Sequence, residues 1–156
     1  MKELFNNLMN LVDDNSVSFF FKDATTRNGT SVRIFSYHFA QYSDWLKPDA
    51  LECRGIMFEI DEDKNPINLM CRPMAKFFNR DENPLTMNLD LSKVNEMMVK
   101  ADGSLISTFD DNGLLGVKSK TSLISQQAVE SLQLLWDIRY KELRDRCLEL
   151  AQAGFT

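Results

Sequence analysis

Residues 105–118 read LISTFDDNGLLGVK. Two apolar runs flank Asp110-Asp111-Asn112-Gly113, and an Asn-Gly pair between such runs indicates a tight β-turn, because both residues tolerate positive φ. The stretch therefore predicts an antiparallel β-hairpin with strands at 105–109 and 114–118. After Lys120 the apolar residues recur at helical spacing instead, which predicts helices.

The chain before this hairpin shows the same alternation of strand-forming runs and turns. Apolar residues at helical spacing predict an opening amphipathic helix over residues 2–13. Runs of β-branched and aromatic residues predict two further hairpins, with strands at 17–21 and 31–39 around the turn Arg27–Thr30, and at 55–60 and 67–71 around the turn 61–66. The pattern of residues 94–100 fits a helix end and a strand equally well.

The C-terminal part of the chain carries one apolar helical face that extends from Leu123 to Leu150. A single helix of that length is unusual, so the pattern predicts two helices with a break near residues 136–139, and Gly154 suits a C-cap. Antiparallel hairpins followed by helices predict an α+β fold.

The composition is that of a soluble globular domain. The 156 residues are 44% hydrophobic and 26% charged, which excludes collagen-like and disordered chains and suits one domain. No apolar stretch is long enough for a membrane helix, and polar residues come too early for a signal peptide, so we expect a cytosolic protein without a membrane partner. Cys53, Cys71 and Cys147 lack metal-site spacing and are expected to be buried thiols.

The formal net charge of −5 argues against a broad nucleic-acid-binding surface but leaves room for a narrow basic cleft. Two segments could form such a cleft: the stretch from Arg72 to Arg80, and the end of the last hairpin with Lys118 and Lys120. Arg72, Lys76 and Arg80 lie in a stretch without acidic residues beside Phe77 and Phe78. Such a mixture can hold phosphates and stack a base, although the two phenylalanines suit a hydrophobic core equally well.

The segment Lys100-Ala101-Asp102-Gly103 has two readings. It can be a polar turn between strands, or it can hold a lysine nucleophile at a strand end. A lysine attacks phosphorus only as the neutral amine, which nearby cations favour, and Lys118 and Lys120 on the next hairpin arm can point back toward it. The single His38 lies in an aromatic strand, where a structural role is expected.

Longer runs resemble the ATP-dependent RNA ligase 1 family of T-even bacteriophages, collinearly over essentially the whole chain. They are Glu3–Met9, Arg33–Tyr37, Tyr42–Leu46, Pro48–Glu59, Arg72–Met74, Lys76–Asn79 and Glu82–Pro84. The resemblance implies a covalent nucleotidyltransferase fold in which Lys100 attacks the α-phosphorus of ATP and forms a lysyl–AMP intermediate. AMP then passes to the 5′-phosphate of a broken RNA, and a 3′-hydroxyl seals the strand, with Mg²⁺ as the metal cofactor.

The resemblance also assigns binding residues by matching position. Arg54 and Lys76 correspond to phosphate or nucleotide contacts, and Phe78 corresponds to an aromatic residue beside the pocket. Asp102 and Gly103 complete the nucleophile motif, and Lys120 is the basic residue of the next motif. Ala101 replaces an acidic residue at a variable position.

The family implies partners and a setting as well. The expected substrate is RNA with 5′-phosphate and 3′-hydroxyl ends, above all tRNA with a broken anticodon loop, alongside a phage polynucleotide kinase–phosphatase in the cytoplasm of the infected bacterial host. Residues 1–156 correspond to the N-terminal portion of the adenylation domain. The metal-binding glutamate, the later motifs and the C-terminal domain have no counterpart, so no metal ligand is expected within the chain. The alternatives are an inactive fragment that binds nucleotide or RNA ends, and a capping guanylyltransferase or DNA ligase.

Overall fold

Hairpins account for all six strands of the computed structural model, which describes residues 1–156. The longer elements are α1 (Lys2–Asp14), β1 (Phe19–Thr25), β2 (Ser31–Tyr37), β3 (Met57–Ile60), β4 (Pro66–Cys71), β5 (Ser107–Asp111), β6 (Leu114–Lys118), α2 (Gln126–Trp136) and α3 (Lys141–Gln152). Short 3₁₀ turns cover Tyr42–Leu46, Ala50–Glu52, Leu91–Lys93 and Ile138–Tyr140. The predicted α+β class with antiparallel sheets and C-terminal helices is confirmed.

The first sheet has the strand order β1-β2-β3-β4 and is antiparallel throughout. Side chains alternate across it, so successive residues of β2 face opposite sides. Phe35 packs with Phe58 against α1, where the Phe5 ring meets their rings edge-on at centroid distances of 5.4 and 5.2 Å. Each buried phenylalanine contributes about 1.5–3 kcal/mol of apolar burial.

The second sheet is the hairpin β5–β6, and it covers the opposite face of the first. Phe109 packs there against Ile34 and Met57. The buried carboxylate of Asp111 ties the two sheets together, because it accepts hydrogen bonds from the Thr26 hydroxyl at 2.9 Å and from the Asn28 backbone amide at 3.3 Å. These contacts fix the hairpin against the turn that joins β1 to β2.

Strand boundaries differ from the sequence prediction at β1. The strand begins at Phe19, because the backbone amides of Ser18 and Phe19 still bond the Asn15 carbonyl at the end of α1. It continues to Thr25 through polar residues, since Asp23 pairs directly with Arg33 of β2 and accepts two guanidinium hydrogen bonds at 2.7 and 2.9 Å. An apolar pattern alone misses such a cross-strand ion pair.

Other predictions hold with smaller shifts. Strand β6 has the predicted bounds, whereas β2 ends at Tyr37 and β5 begins at Ser107. Residues 94–106 form neither helix nor strand. Cys53 and Cys71 are buried free thiols, but Cys147 is only half-buried. None of the helices combines the length and the hydrophobicity needed to cross a bilayer.

Candidate active site

A cleft of about 380 Å³ opens where the two sheets meet the start of α2. Its walls come from segments far apart in the sequence, and its lining residues are Arg54, Pro73, Gly103, Ser104, Leu105, Ser107, Ser119, Lys120 and Gln127. Three of these, Arg54, Gly103 and Lys120, are among the residues that the sequence singled out. Folding thus brings a residue assigned by resemblance, a lysine after the last hairpin and the glycine of one predicted turn to the same place.

Lys118 connects β6 to the backbone next to Arg54 without itself lining the cleft. Its side chain is fully buried, and its Nζ donates a hydrogen bond to the Gly55 carbonyl at 2.6 Å. Burial lowers the pKa of Lys118, because removal from water disfavours the charged amine. The sequence allowed Lys118 to point back toward Lys100. Its amine instead holds the backbone next to Arg54.

Gly55 is required at this junction. Its φ is +95°, and a Cβ there would lie 2.6 Å from the Lys120 carbonyl oxygen and 3.1 Å from the Lys118 Nζ. Only glycine accepts both the conformation and the close approach. The contact places Arg54 directly beside the segment that carries Lys120.

The Lys120 amine lies at the end of β2. Its Nζ donates to the Tyr37 carbonyl at 3.2 Å and sits 3.7 Å from the centre of the Tyr37 ring. Burial lowers the pKa of Lys120, and the positive charges of Arg54 and Lys76 lower it further, against an opposing effect of Cys53. The three cations therefore share one electrostatic environment that favours an anion.

Arg54 and Lys76 rest on aromatic rings. The Arg54 guanidinium carbon lies 5.1 Å from the centre of the Phe77 ring, and Nη1 donates to the Met74 carbonyl at 3.2 Å. The Lys76 amine lies 4.4 Å from the Phe78 ring and donates to the Phe77 carbonyl at 2.9 Å. Cation–π contacts of this kind hold a charge in place without neutralising it.

Behind these cations the aromatic side chains form a continuous row. The Phe78 ring meets Trp45 edge-on at 5.9 Å, and Trp45 meets Tyr37 at 4.7 Å. Phe78 thus belongs to the edge of the core, while Phe77 is about half exposed beneath Arg54. Neither Tyr37 nor Trp45 was expected in the site from the sequence. Tyr37 lies in the aromatic run of β2, but such a run does not distinguish a site residue from a core residue, and Trp45 has no such signal.

The absence of carboxylate partners separates these cations from the neighbouring ones. Arg72 pairs with Glu52 through two hydrogen bonds at 3.1 and 2.8 Å, and Arg80 pairs with Asp81. The sequence suggested that the cations of the stretch 72–80 have no acidic neighbours, but in the folded chain two of them pair with carboxylates. None of Arg54, Lys76 and Lys120 forms an ion pair. Unpaired cations at a cleft suit phosphate groups.

Lys100 and Asp102 lie beside the cleft rather than in its lining. Both are exposed on the irregular segment 94–106. Asp102 accepts a hydrogen bond from the Gly103 amide at 3.1 Å, and Gly103, with φ +141°, reaches the cleft wall. Since three residues span at most about 11 Å, Lys100 remains within reach of the cleft mouth.

No three His, Cys, Asp or Glu side chains cluster as a metal-ligand set. The Mg²⁺ implied by the sequence resemblance therefore finds no ligand set among these side chains, and we assign no chemical step to it.

A family model described as RNA ligase, of the T4 type, matches residues 52–154, about two thirds of the chain. The matched range includes every residue of the cleft as well as Lys76, Phe78 and Lys100.

Proposed function

The chain belongs to the RNA ligase family, and from that premise we propose that it carries the nucleotide-binding and nucleophile-bearing part of an ATP-dependent ligase that joins RNA 5′-phosphate and 3′-hydroxyl ends. The observation that carries the proposal is the convergence of Arg54, Lys120 and Gly103 on one cleft. Gly103 belongs to the motif of Lys100, so the cations and the nucleophile segment adjoin.

The proposed first step uses Lys100 as the nucleophile. Its neutral Nζ attacks the α-phosphorus of ATP, an N–P bond forms, and the bond from the α-phosphorus to the bridging oxygen breaks. Pyrophosphate leaves with that electron pair, and the amine loses a proton to solvent. Arg54, Lys76 and Lys120 bind the phosphates and stabilise the charge on the leaving group.

In the two later steps, AMP passes from the lysine to the RNA 5′-phosphate, and the RNA 3′-hydroxyl then displaces AMP. An oxygen of the RNA 5′-phosphate attacks the phosphorus of lysyl–AMP, the N–P bond breaks, and the lysine amine takes up a proton. The 3′-hydroxyl oxygen then attacks the activated 5′-phosphate and loses its proton to solvent, the phosphoanhydride bond breaks, AMP departs with that electron pair, and a phosphodiester bond remains. For its attack on ATP, the Lys100 segment must approach the cleft, because Lys100 itself is exposed and lies outside the cleft lining.

The resemblance extends the proposal to a biological setting. We propose tRNA with a broken anticodon loop as the substrate, a phage polynucleotide kinase–phosphatase as the enzyme that prepares its ends, ATP as the cofactor with Mg²⁺, and the cytoplasm of the infected host as the location. The supporting fact is family membership over residues 52–154.

Labelling with nucleotide tests the proposal. The chain is incubated with ATP or GTP labelled at the α-phosphate and then separated under denaturing conditions. Covalent label from ATP alone is expected. Label from GTP would indicate a capping-type enzyme, and the absence of label together with retained ATP binding would indicate a fragment that only binds nucleotide.

A further inference from the structure

Two exposed aromatic side chains and a half-buried one lie where β1 begins and β2 ends. The exposed His38 ring stacks on the half-buried Phe20 ring with centroids 4.1 Å apart and planes inclined by 16°. Phe39 follows and is 91% exposed. The sequence pattern placed His38 inside an aromatic strand, but the strand ends at Tyr37 and His38 is exposed. We call Phe20, His38 and Phe39 the aromatic platform.

The backbone beneath the platform is held firmly. The His38 amide donates to the Ser18 carbonyl at 2.9 Å, and the Ser18 hydroxyl donates to the Phe39 carbonyl at 3.0 Å. Ser18 is itself buried. Exposed rings on an anchored backbone lose little conformational entropy when a ligand covers them, which favours binding.

Positive charge lies at both ends of the platform. The Lys22 amine is 5.9 Å from the centre of the Phe20 ring. At the other end, Tyr37 directly precedes His38, and its carbonyl accepts the hydrogen bond from Lys120 in the cleft wall. The platform therefore follows directly after the carbonyl that Lys120 of the cleft wall contacts, and the exposed Lys22 lies at its other end.

We propose that the aromatic platform binds the bases of a single-stranded RNA end and directs that end into the cleft. This inference rests on the proposed function, because it assigns the surface that receives the RNA substrate. Flat aromatic faces next to lysines bind single strands without sequence preference, since every base has a face to stack and every nucleotide carries a phosphate.

The chemistry of the surface favours RNA over a protein partner. A protein interface of this kind needs a broad apolar centre, whereas two of the platform rings are already stacked as bases are, and lysines flank the row. A base stacked on His38 extends that stack, Phe39 offers a second exposed face, and Lys22 beside the Phe20 ring can meet an adjacent phosphate.

Binding of a fluorescently labelled single-stranded RNA, about 12 nucleotides long to span a typical single-strand site, tests the inference by anisotropy. Phe39→Ala is expected to weaken binding by roughly 5- to 150-fold, the loss typical of one base–aromatic stack. Phe39→Trp keeps a stacking face and should retain binding. Ile138→Ala, a similarly exposed apolar residue (78%) in the turn before α3, is the matched control and should change nothing.

Two further measurements separate this inference from the proposed function. A ribose–phosphate oligomer without bases should bind wild type and Phe39→Ala equally, because it has nothing to stack. ATP binding, measured by calorimetry, should be the same in both proteins. If wild type fails to bind ATP, the proposed function fails, while the RNA comparison still tests the platform.

The opposite results overturn the inference. Equal RNA binding by Phe39→Ala and Ile138→Ala would exclude a stacking role. If Phe39→Ala weakens binding of the oligomer without bases as much as it weakens binding of RNA, the platform contacts the sugar–phosphate backbone and does not stack bases. A change in self-association on Phe39→Ala without a change in RNA binding would assign the platform to contact with a second copy of the chain.

Discussion

The Lys118 Nζ donates a hydrogen bond to the Gly55 carbonyl at 2.6 Å, although the two residues are 63 positions apart in the chain. Each residue adjoins a cation of the cleft, since Gly55 follows Arg54 and Lys118 lies two residues before Lys120. The geometry of the cleft therefore depends on this one junction, whose steric and electrostatic halves can be tested separately.

Replacing Gly55 by alanine tests the steric half. Gly55→Ala should lower the free energy of unfolding by about 1–2 kcal/mol for the positive φ and by a further ~1–3 kcal/mol for the clash with the Lys120 carbonyl. Gly29→Ala is the matched control, because Gly29 also has positive φ but open space around it. Urea denaturation measures both, and equal losses would contradict the close approach.

Replacing Lys118 by methionine tests the electrostatic half. Burial lowers the pKa of Lys118 from its ordinary value near 10.5, so between the lowered value and the ordinary one the unfolded chain binds more protons than the folded chain. Stability from this residue therefore rises with pH across that window. The free energy of unfolding of wild type, relative to Lys118→Met, should be higher at pH 9.5 than at pH 7.5 in urea titrations. A difference that is constant or falls with pH would show that the amine is not desolvated.

The nucleophile is tested by two substitutions. Lys100→Ala should abolish covalent labelling from ATP, and Lys100→Arg should abolish it too, because a guanidinium stays protonated. Lys100 is exposed, so both variants should melt at the wild-type temperature. Residual labelling of either variant would move the nucleophile to another residue.

Arg54 and Lys120, which line the cleft, and Lys76 near them carry unpaired charges that should each contribute to ATP binding. Arg54→Ala, Lys76→Ala and Lys120→Ala should each weaken it by about 1.5–3 kcal/mol, the value of a hydrogen bond to a charged group, or roughly 10- to 150-fold. Lys141→Ala is the control, since Lys141 forms an exposed ion pair with Asp145 on α3. Calorimetric affinities of the three variants equal to that of the control would remove the phosphate-binding role.

The chain is expected to self-associate. An apolar groove of about 770 Å³ lies between β6 and α2, lined in part by Leu115, Leu132 and Trp136. Beside it, the two-stranded sheet β5–β6 has no further strand on either edge. Open edges next to apolar surface favour association between copies. Sedimentation of the wild-type chain should show species larger than the monomer. The Trp136→Gln variant should show a smaller fraction of these species. A single monomeric species for the wild type would contradict the expectation.

Local patterns predicted the secondary structure because each hairpin carries its own signal. The Asn112-Gly113 turn, with both residues at positive φ, and the break before α3 are properties of a few adjacent residues. The extension of β1 was missed because the Asp23–Arg33 pair needs two strands to exist. The same reason explains why the apparent lack of acids around Arg72 was misleading, since Glu52 comes from a different segment.

The site was predictable in part. The resemblance named Arg54, Lys76, Phe78, Gly103 and Lys120, and the structure brings them to one region. The position of Lys118 could not be read from the sequence, because a lysine in a strand normally faces solvent. Its burial depends on the Gly55 carbonyl, which lies 63 residues away in the chain and accepts the hydrogen bond from the buried amine. The exposure of His38 likewise depends on where β2 ends.

The hydrogen bond between Asp111 and Thr26 spans 85 residues and has a consequence for synthesis on the ribosome. The first sheet is synthesised before β5 and β6, and until residue 118 has left the exit tunnel Ile34 and Met57 have no covering hairpin. A nascent chain at that stage presents an uncovered apolar face, the type of surface that chaperones bind. Translation speed between residues 71 and 118 therefore contributes to how long that face is at risk of aggregation.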